Sequence, residues 1–307
     1  MNGMDSFSSQ PGDFDYIECL FLSDDNSLPR PAAIEGCSIH SVASALAHLE
    51  RRLAQGLRYA LLVAVNAQPA LALAQADDFC VRQLLLQARR RWGQAITLIA
   101  DVGLSPYQES GHSVINTAGN IDVEASYQAV VQLAAAFAQA GADAVAPCLS
   151  LPQQTRVIRE TFDAAQLSCG VFPYSTKFSS SLYGPYRQAI GSKLGTGRKS
   201  YQFDFCDTAE AINQTEEDLR QGAVATIVKP ALPYLDVLAE TVRRSSKPVA
   251  VYHVSGEFMM ARLASRAGLL NENDYYDEIH AAFRRCGARW IIGYAADHFL
   301  RQQHLNL

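Results

Sequence analysis

Several features that mark whole protein classes are missing from this sequence. No apolar run reaches the ~20 residues that a membrane-spanning helix needs. Positive charge is scarce: 26 Lys and Arg stand against 31 Asp and Glu, a net charge of −5, so no basic face for nucleic-acid phosphates is expected. The Gly-rich dinucleotide fingerprint and the P-loop are both absent, which removes the sequence signals of a nucleotide site. No C-x-x-C pair occurs. The seven cysteines (Cys19, Cys37, Cys80, Cys148, Cys169, Cys206 and Cys286) are odd in number and scattered. Such a set reads as reduced thiols of a cytoplasmic protein, not as a disulfide frame or a zinc finger. The first residues, MNGMDSFSSQPGDFDY, are polar and acidic, and do not read as a signal peptide.

What is present is a large core. The chain has 307 residues, 49% of them hydrophobic, which is enough for one α/β barrel. Short apolar runs, the strand candidates, fall at 16–22, 59–65, 96–101, 144–147, 170–175, 224–229, 249–253 and 290–294. Amphipathic segments separate most of them. SVASALAHLERRLAQG carries apolar residues at helical spacing and stops at Gly56, and ASYQAVVQLAAAFAQAG does the same and stops at Gly141. Continuous apolar strands joined by helices imply parallel pairing with both faces covered. Eight such strands without a composition break predict one (β/α)₈ TIM barrel over 16–307, with 1–15 as a short N-terminal arm or disordered tail. An open doubly wound sheet is the main rival. The stretch YGPYRQAIGSKLGTGRKSYQ, 183–202, holds four glycines and several basic residues, and reads as a long lid loop after strand five.

Catalysis in an α/β barrel sits at the C-terminal ends of the strands. The candidate strands end at Asp101, Cys148, near Lys177, at Lys229, at Tyr252, His253 and Ser255, and at Tyr294. Lys229 closes the apolar run Ile227-Val228 and is followed by Pro230, which disfavours helix for the residue before it and ends the strand. A lysine is costly to bury unless paired or neutral. Either lysine alone reads best as a side chain snorkelling to the rim. Two on neighbouring strands would repel, so one would lose its proton near neutral pH and become a nucleophile toward a ketone. Arg187 and Arg198 in the lid suit a carboxylate, although a lone arginine is ordinarily a surface charge. Tyr183, Gln202, Ser255 and Tyr294 add hydrogen-bonding groups. Together these residues point to a small keto acid held by its carboxylate and attacked at its carbonyl.

The same segments carry a family likeness. PYSTKFSSSLYGPYR, GRKSYQ, VKPALPYLDV and VYHVSGEF closely resemble the porphobilinogen synthases, also called 5-aminolevulinate dehydratases. ADVGLSPYQESGH and AGADAVAP resemble earlier segments of that family, and the likeness is strong from about 98 to 294. It implies a (β/α)₈ barrel with an N-terminal arm, condensation of two 5-aminolevulinate molecules to porphobilinogen in heme and porphyrin biosynthesis, and a homo-oligomer. On the resemblance, Lys229 holds the first-bound substrate and Lys177 the second. Arg187, Arg198 and Gln202 grip the carboxylate of the second, and Ser255 and Tyr294 that of the first. Tyr183 and Tyr186 are aromatic lid positions, Tyr252 is an aromatic beside Lys229, and Asp101 is an acid beside the reacting amines.

The departures cluster. Family members that use zinc carry three cysteines after strand three, and others carry aspartates; here Gly103, Ser105 and Ser113 stand there. Glycine and serine do not supply the thiolate, imidazole or carboxylate that zinc or magnesium prefers, so no active-site metal is expected. His112 and Glu109 are nearby, and a lone histidine there reads as structural. A glutamate of an outer magnesium site falls at Gln214. After strand four an acidic stretch is replaced by CLSLPQQTR, which is longer and places Cys148 where the family has a serine facing the second substrate. Cys148 reads first as a small buried thiol, since nucleophilic use needs a depressed pKa. Gly293 replaces a threonine, and the arm is about half the usual length, which leaves a dimer as the smallest expected assembly. Three functions therefore stand: a metal-independent porphobilinogen synthase, a divergent Schiff-base enzyme using 5-aminolevulinate or a related amino ketone for another product, and an inactive relative that binds the keto acid.

Overall fold

The computed structural model describes residues 7, 14–25, 29–65, 70–117, 120–192 and 201–304. Among these, eight parallel strands in nine segments form the ring of the central sheet: β1 (Asp15–Leu22), β2 (Tyr59–Ala64), β3 (Thr97–Asp101), β4 (Ala144–Ala146), β5 (in two pieces, Gly170–Val171 and Thr176–Lys177), β6 (Thr226–Lys229), β7 (Val249–Tyr252) and β8 (Trp290–Gly293); two short strands, Arg30–Pro31 and Ser38–His40, attach beside β1. Each of the eight apolar runs is a strand, with ends shifted by a residue or two. Strand five differs most, because Pro173 breaks the ladder within it.

The pairing runs β6-β7-β8-β1-β2-β3-β4, with the two pieces of β5 at its two ends. Those pieces belong to one continuous segment, so the ring closes through it. On one side the amides of Phe172 and Tyr174 donate to the carbonyls of Val145 and Pro147; on the other, Val224 and Ile227 donate to Val171 and Pro173. An open doubly wound sheet would leave two free edges, and that rival is excluded.

Side-chain alternation divides the core in two. In β2, Tyr59, Leu61 and Val63 join Ile99, Phe172 and Trp290 inside the ring. Ala60, Leu62 and Ala64 face outward to Leu84 and Leu85 of the helix Cys80–Trp92. Both helix stops read from the sequence hold: Val42–Ala54 and Val123–Gln139 end just before Gly56 and Gly141, each with positive φ. The bottom of the barrel is filled by aromatics. Trp290 packs on Tyr59 and Phe172, and Phe7 meets Phe172 and Trp290 edge-on at 5.7 and 5.8 Å. Phe7 is thus built into this chain's own core; residues 1–6 and 8–13 of the expected arm lie outside the described residues.

The stretch after β5 is not wholly a loop. Ser181–Tyr183 forms a 3₁₀ turn and Gly184–Ala189 a short helix, with Pro185 in its first turn, where a missing N–H is harmless. The chain then returns so that Phe203 pairs with Phe178, which brings Tyr201 and Gln202 back over the barrel mouth.

Candidate active site

The two lysines are registered partners: Lys177 at the end of β5 lies opposite Lys229 at the end of β6. Partners on adjacent parallel strands share a face, with backbones about 4.8 Å apart. Both side chains point into the mouth and are almost fully buried. One cavity there is lined by Asp101, Gly103, Ser105, Pro106, Cys148, Lys177, Tyr183, Tyr186 and Lys229. Six of the site residues expected from the sequence therefore converge on one space.

Tyrosine rings surround Lys229. Its Nζ is 4.0 Å from the ring centre of Tyr252, 4.8 Å from Tyr174, 5.2 Å from Tyr186 and 5.5 Å from Tyr183. Burial pushes the Lys229 ammonium down from 10.5 to about 8; the charge of Lys177 adds to this, while Cys148 and Asp101 oppose it. Lysine–lysine repulsion, the cause expected from the strand ends, is thus the smaller effect, and loss of water is the larger one.

Asp101 is held on both oxygens. Gly103 N donates to Oδ1 at 2.9 Å and the Tyr174 hydroxyl to Oδ2 at 2.8 Å. Burial raises the Tyr174, Tyr252 and Tyr294 phenols well above their ordinary value, so all three stay protonated. Tyr174 was not expected from strand-end logic, because it lies before the end of β5; its signal was its place in PYSTK, three residues before the strand's terminal lysine.

Ser255 begins the helix Ser255–Arg266, and its Oγ accepts from Tyr186 N at 2.9 Å, tying the lid's base to that helix. Tyr294 Oη lies 3.1 Å from Tyr252 Oη, whose hydroxyl also reaches Cys19 Sγ at 3.3 Å. The guanidinium of Arg187 lies 5.9 Å from the Tyr183 ring centre and reaches the Ser180 carbonyl. Gln202 is buried, and among the described residues its amide N and O have no hydrogen-bond partner. Arg198 lies outside the described residues. His253 turns away, packing against Tyr275, Tyr276 and Phe283; burial pushes its imidazole down to about 3 and keeps it neutral.

The positions that hold metal in the resembled family do not fit one here. Gly103 offers no donor, and a Cβ there would meet Asp101 Oδ1 at 3.0 Å and Cys148 Cβ at 3.1 Å. Ser105 and Ser113 hydrogen-bond each other at 2.9 Å, and Ser113 N donates to the Tyr201 hydroxyl at 3.1 Å. The hydroxyls are neutral oxygens engaged with one another, a poor set for zinc or magnesium.

A parallel α/β barrel with a buried lysine pair and a carboxylate at the C-terminal ends of its strands defines a class of lyase and aldolase-like sites in general chemical terms. The particular family follows from comparison. The family model for delta-aminolevulinic acid dehydratase matches residues 10–302. The delta-aminolevulinic acid dehydratase of Mycobacterium tuberculosis is 33% identical over 284 residues, covering 90% of this chain and 86% of that one. That of Methanothermobacter thermautotrophicus is 34% identical over 292 residues, covering 93% and 89%. The Toxoplasma gondii delta-aminolevulinic acid dehydratase (porphobilinogen synthase), solved with its reaction product porphobilinogen, superposes with a TM-score of 0.88 at 30% identity, over 96% of this chain and 86% of that one. The chain belongs to the delta-aminolevulinic acid dehydratase family and is an enzyme of that lyase class.

A measurable consequence attaches to Lys229. Its neutral fraction should climb from about 1% at pH 6 to about half at pH 8. Borohydride trapping of a keto acid on Lys229 is therefore expected to speed up over that range and level off above it, with a midpoint near 8. A midpoint near 10.5, the ordinary value, would contradict the burial argument.

Proposed function

We propose that this chain condenses two molecules of 5-aminolevulinate into porphobilinogen, holding each as a Schiff base and using no active-site metal ion. The observation that carries the reading is the registered pair Lys177 and Lys229 beside the fixed Asp101 carboxylate in one cavity. The amine of Lys229, deprotonated at low cost, attacks the ketone carbon of the first substrate, and loss of water leaves an iminium. Lys177 captures the second in the same way. One carbon–carbon and one carbon–nitrogen bond then form between the substrates. Both lysine nitrogens are released, two waters are lost in all, and the ring becomes aromatic. Asp101 lines the same cavity as both amines and can accept the protons shed in these steps.

Gln202 supports the carboxylate assignment, because a buried carboxamide without a partner among the described residues suits an incoming anion. Arg187, and Arg198 beyond the described residues, would share that grip; Ser255 and Tyr294 would serve the first substrate. Metal independence is supported by the paired serines and the glycine at the ligand positions. The reading includes a cytoplasmic homo-oligomer, at least a dimer; the seven scattered cysteines fit a reducing compartment. Among the described residues no helix is long and apolar enough to cross a membrane.

The test is to strip the protein with chelator, add 5-aminolevulinate and assay for the pyrrole. Porphobilinogen formed at a rate that zinc and magnesium leave unchanged is expected. No pyrrole under any metal condition would sink the reading. Trapping on Lys229 without pyrrole would point to a divergent Schiff-base enzyme, and binding without trapping to an inactive relative.

A further inference from the structure

Cys148 is the site group that the reaction above leaves unused. It follows β4 by two residues, is buried, and lines the cavity. Its Sγ accepts a hydrogen bond from Lys177 Nζ. Two independent features put it there. Gly103 leaves the space, since a Cβ at that position would crowd Cys148 Cβ at 3.1 Å. The loop that follows is fixed from below: Leu149 N donates to Gln154 Oε1 at 3.1 Å, and Thr155 Oγ1 donates to the buried Asp218 at 2.7 Å. The charged groups facing Cys148 come from three other strands, Asp101 from β3, Lys177 from β5 and Lys229 from β6; the phenols of Tyr183 and Tyr186 line the same cavity, and Tyr174 also lies close enough to feel the thiol.

We infer that Cys148 is a catalytic residue, the proton-transfer partner of Lys177 during Schiff-base formation. The inference rests on the Schiff-base reading and deepens it. With the pair as amine and thiol, Lys177 Nζ forms a bond to the ketone carbon while the carbonyl oxygen takes the thiol proton. The nitrogen of the adduct, now carrying an extra proton, returns one to the thiolate. The hydroxyl then leaves as water with that proton, and the C–N bond becomes an iminium. The balance is amine plus thiol plus ketone giving iminium, thiolate and water. The thiolate so formed sits beside the new positive charge and stabilises it. An alcohol cannot hold the negative charge near neutral pH, whereas a thiol can. The proton transfer is confined to Lys177, whose Nζ donates to Cys148 Sγ; at Lys229 the thiol acts through its charge alone, which holds that ammonium up.

The experiment uses the full chain, 5-aminolevulinate and borohydride, with each modified lysine quantified by peptide mass after digestion, across pH 6 to 9. In Cys148→Ser and Cys148→Ala, trapping at Lys177 is expected to slow by about 100-fold, with trapping at Lys229 not slowed. In turnover, kcat should fall by a similar factor while KM moves by less than about threefold. Retained trapping at Lys229 also shows that the variants are folded. Wild-type rates at Lys177 in Cys148→Ser would overturn the inference and leave the Schiff-base reading standing, and loss at both lysines would overturn the assignment to Lys177. Wild-type protein that traps at neither lysine overturns the Schiff-base reading and this inference with it.

Discussion

Lys229→Met is expected to remove borohydride trapping at that position and to lower kcat/KM by about 10⁴-fold or more, because the covalent route to the first substrate disappears. The same substitution should make the protein more stable. Methionine matches the lysine stem in length and has no charge to desolvate. A depression from 10.5 to about 8 corresponds to roughly 3 kcal/mol against the charged form in the folded state. The sign follows from which form is penalised. The folded pKa is the lower one, so the native state loses stability as pH falls from 10.5 toward 8, and the loss is complete below 8. The advantage of Lys229→Met in urea unfolding should therefore be largest at pH 7, shrink through pH 9, and vanish near the top of that range. The four tyrosine rings favour the cation and will trim the gain. Residual activity above about 1% of wild type would contradict the covalent role. Equal stability of the two proteins at pH 7 would contradict the desolvation account.

The reach of the sequence reading has physical limits. Strand positions were legible because parallel barrel strands are buried on both faces, so each appears as an unbroken apolar run. The interruption of β5 was not, because Pro173 sits inside an otherwise apolar stretch and its effect depends on neighbours from two other strands. Lys177 and Lys229 were legible as chemistry because a charge ending an apolar run is costly wherever it falls. The main cause of the Lys229 shift was not legible: sequence shows that two lysines are near, but not the tyrosine rings that exclude water. Tyr174 and Cys19 come from strand interiors, where aromatic and small apolar-like residues read as packing, and only the folded ring shows their hydroxyl and thiol turned to Asp101 and Tyr252. Gln202 was legible as a hydrogen-bonding group in the lid, and only the family likeness pointed it to a particular carboxylate; its burial depends on the return of the chain at Phe203, which no local pattern announces.

Gly256→Ala should damage the site from a position outside it. A Cβ at 256 would lie 2.5 Å from Leu182 O, 2.7 Å from its Cα and 2.9 Å from its carbonyl carbon. All three are backbone atoms, so no side chain can rotate aside. The helix Ser255–Arg266 cannot retreat easily, because Glu257 in its first turn accepts from Val254 N and Leu232 N, each at 2.6 Å, and pins the helix start to the segment after β6. The displaced element must then be the Ser181–Tyr183 turn. That turn carries Tyr183, whose hydroxyl donates to the Phe178 and Lys229 carbonyls at 2.7 and 3.3 Å, and it leads directly to Tyr186, whose N donates to Ser255. Lifting it would draw two of the four rings away from Lys229 and admit water. The expected cost is about 1–3 kcal/mol in unfolding free energy, with activity down by about 100-fold through misplacement of the reacting groups. A second signature separates this from simple destabilisation: the midpoint for trapping on Lys229 should rise from about 8 toward the ordinary lysine value as the amine is rehydrated. An alanine variant that is less stable but keeps the midpoint of wild type would show that Gly256 serves packing alone, and that the tyrosine cover is held by other contacts.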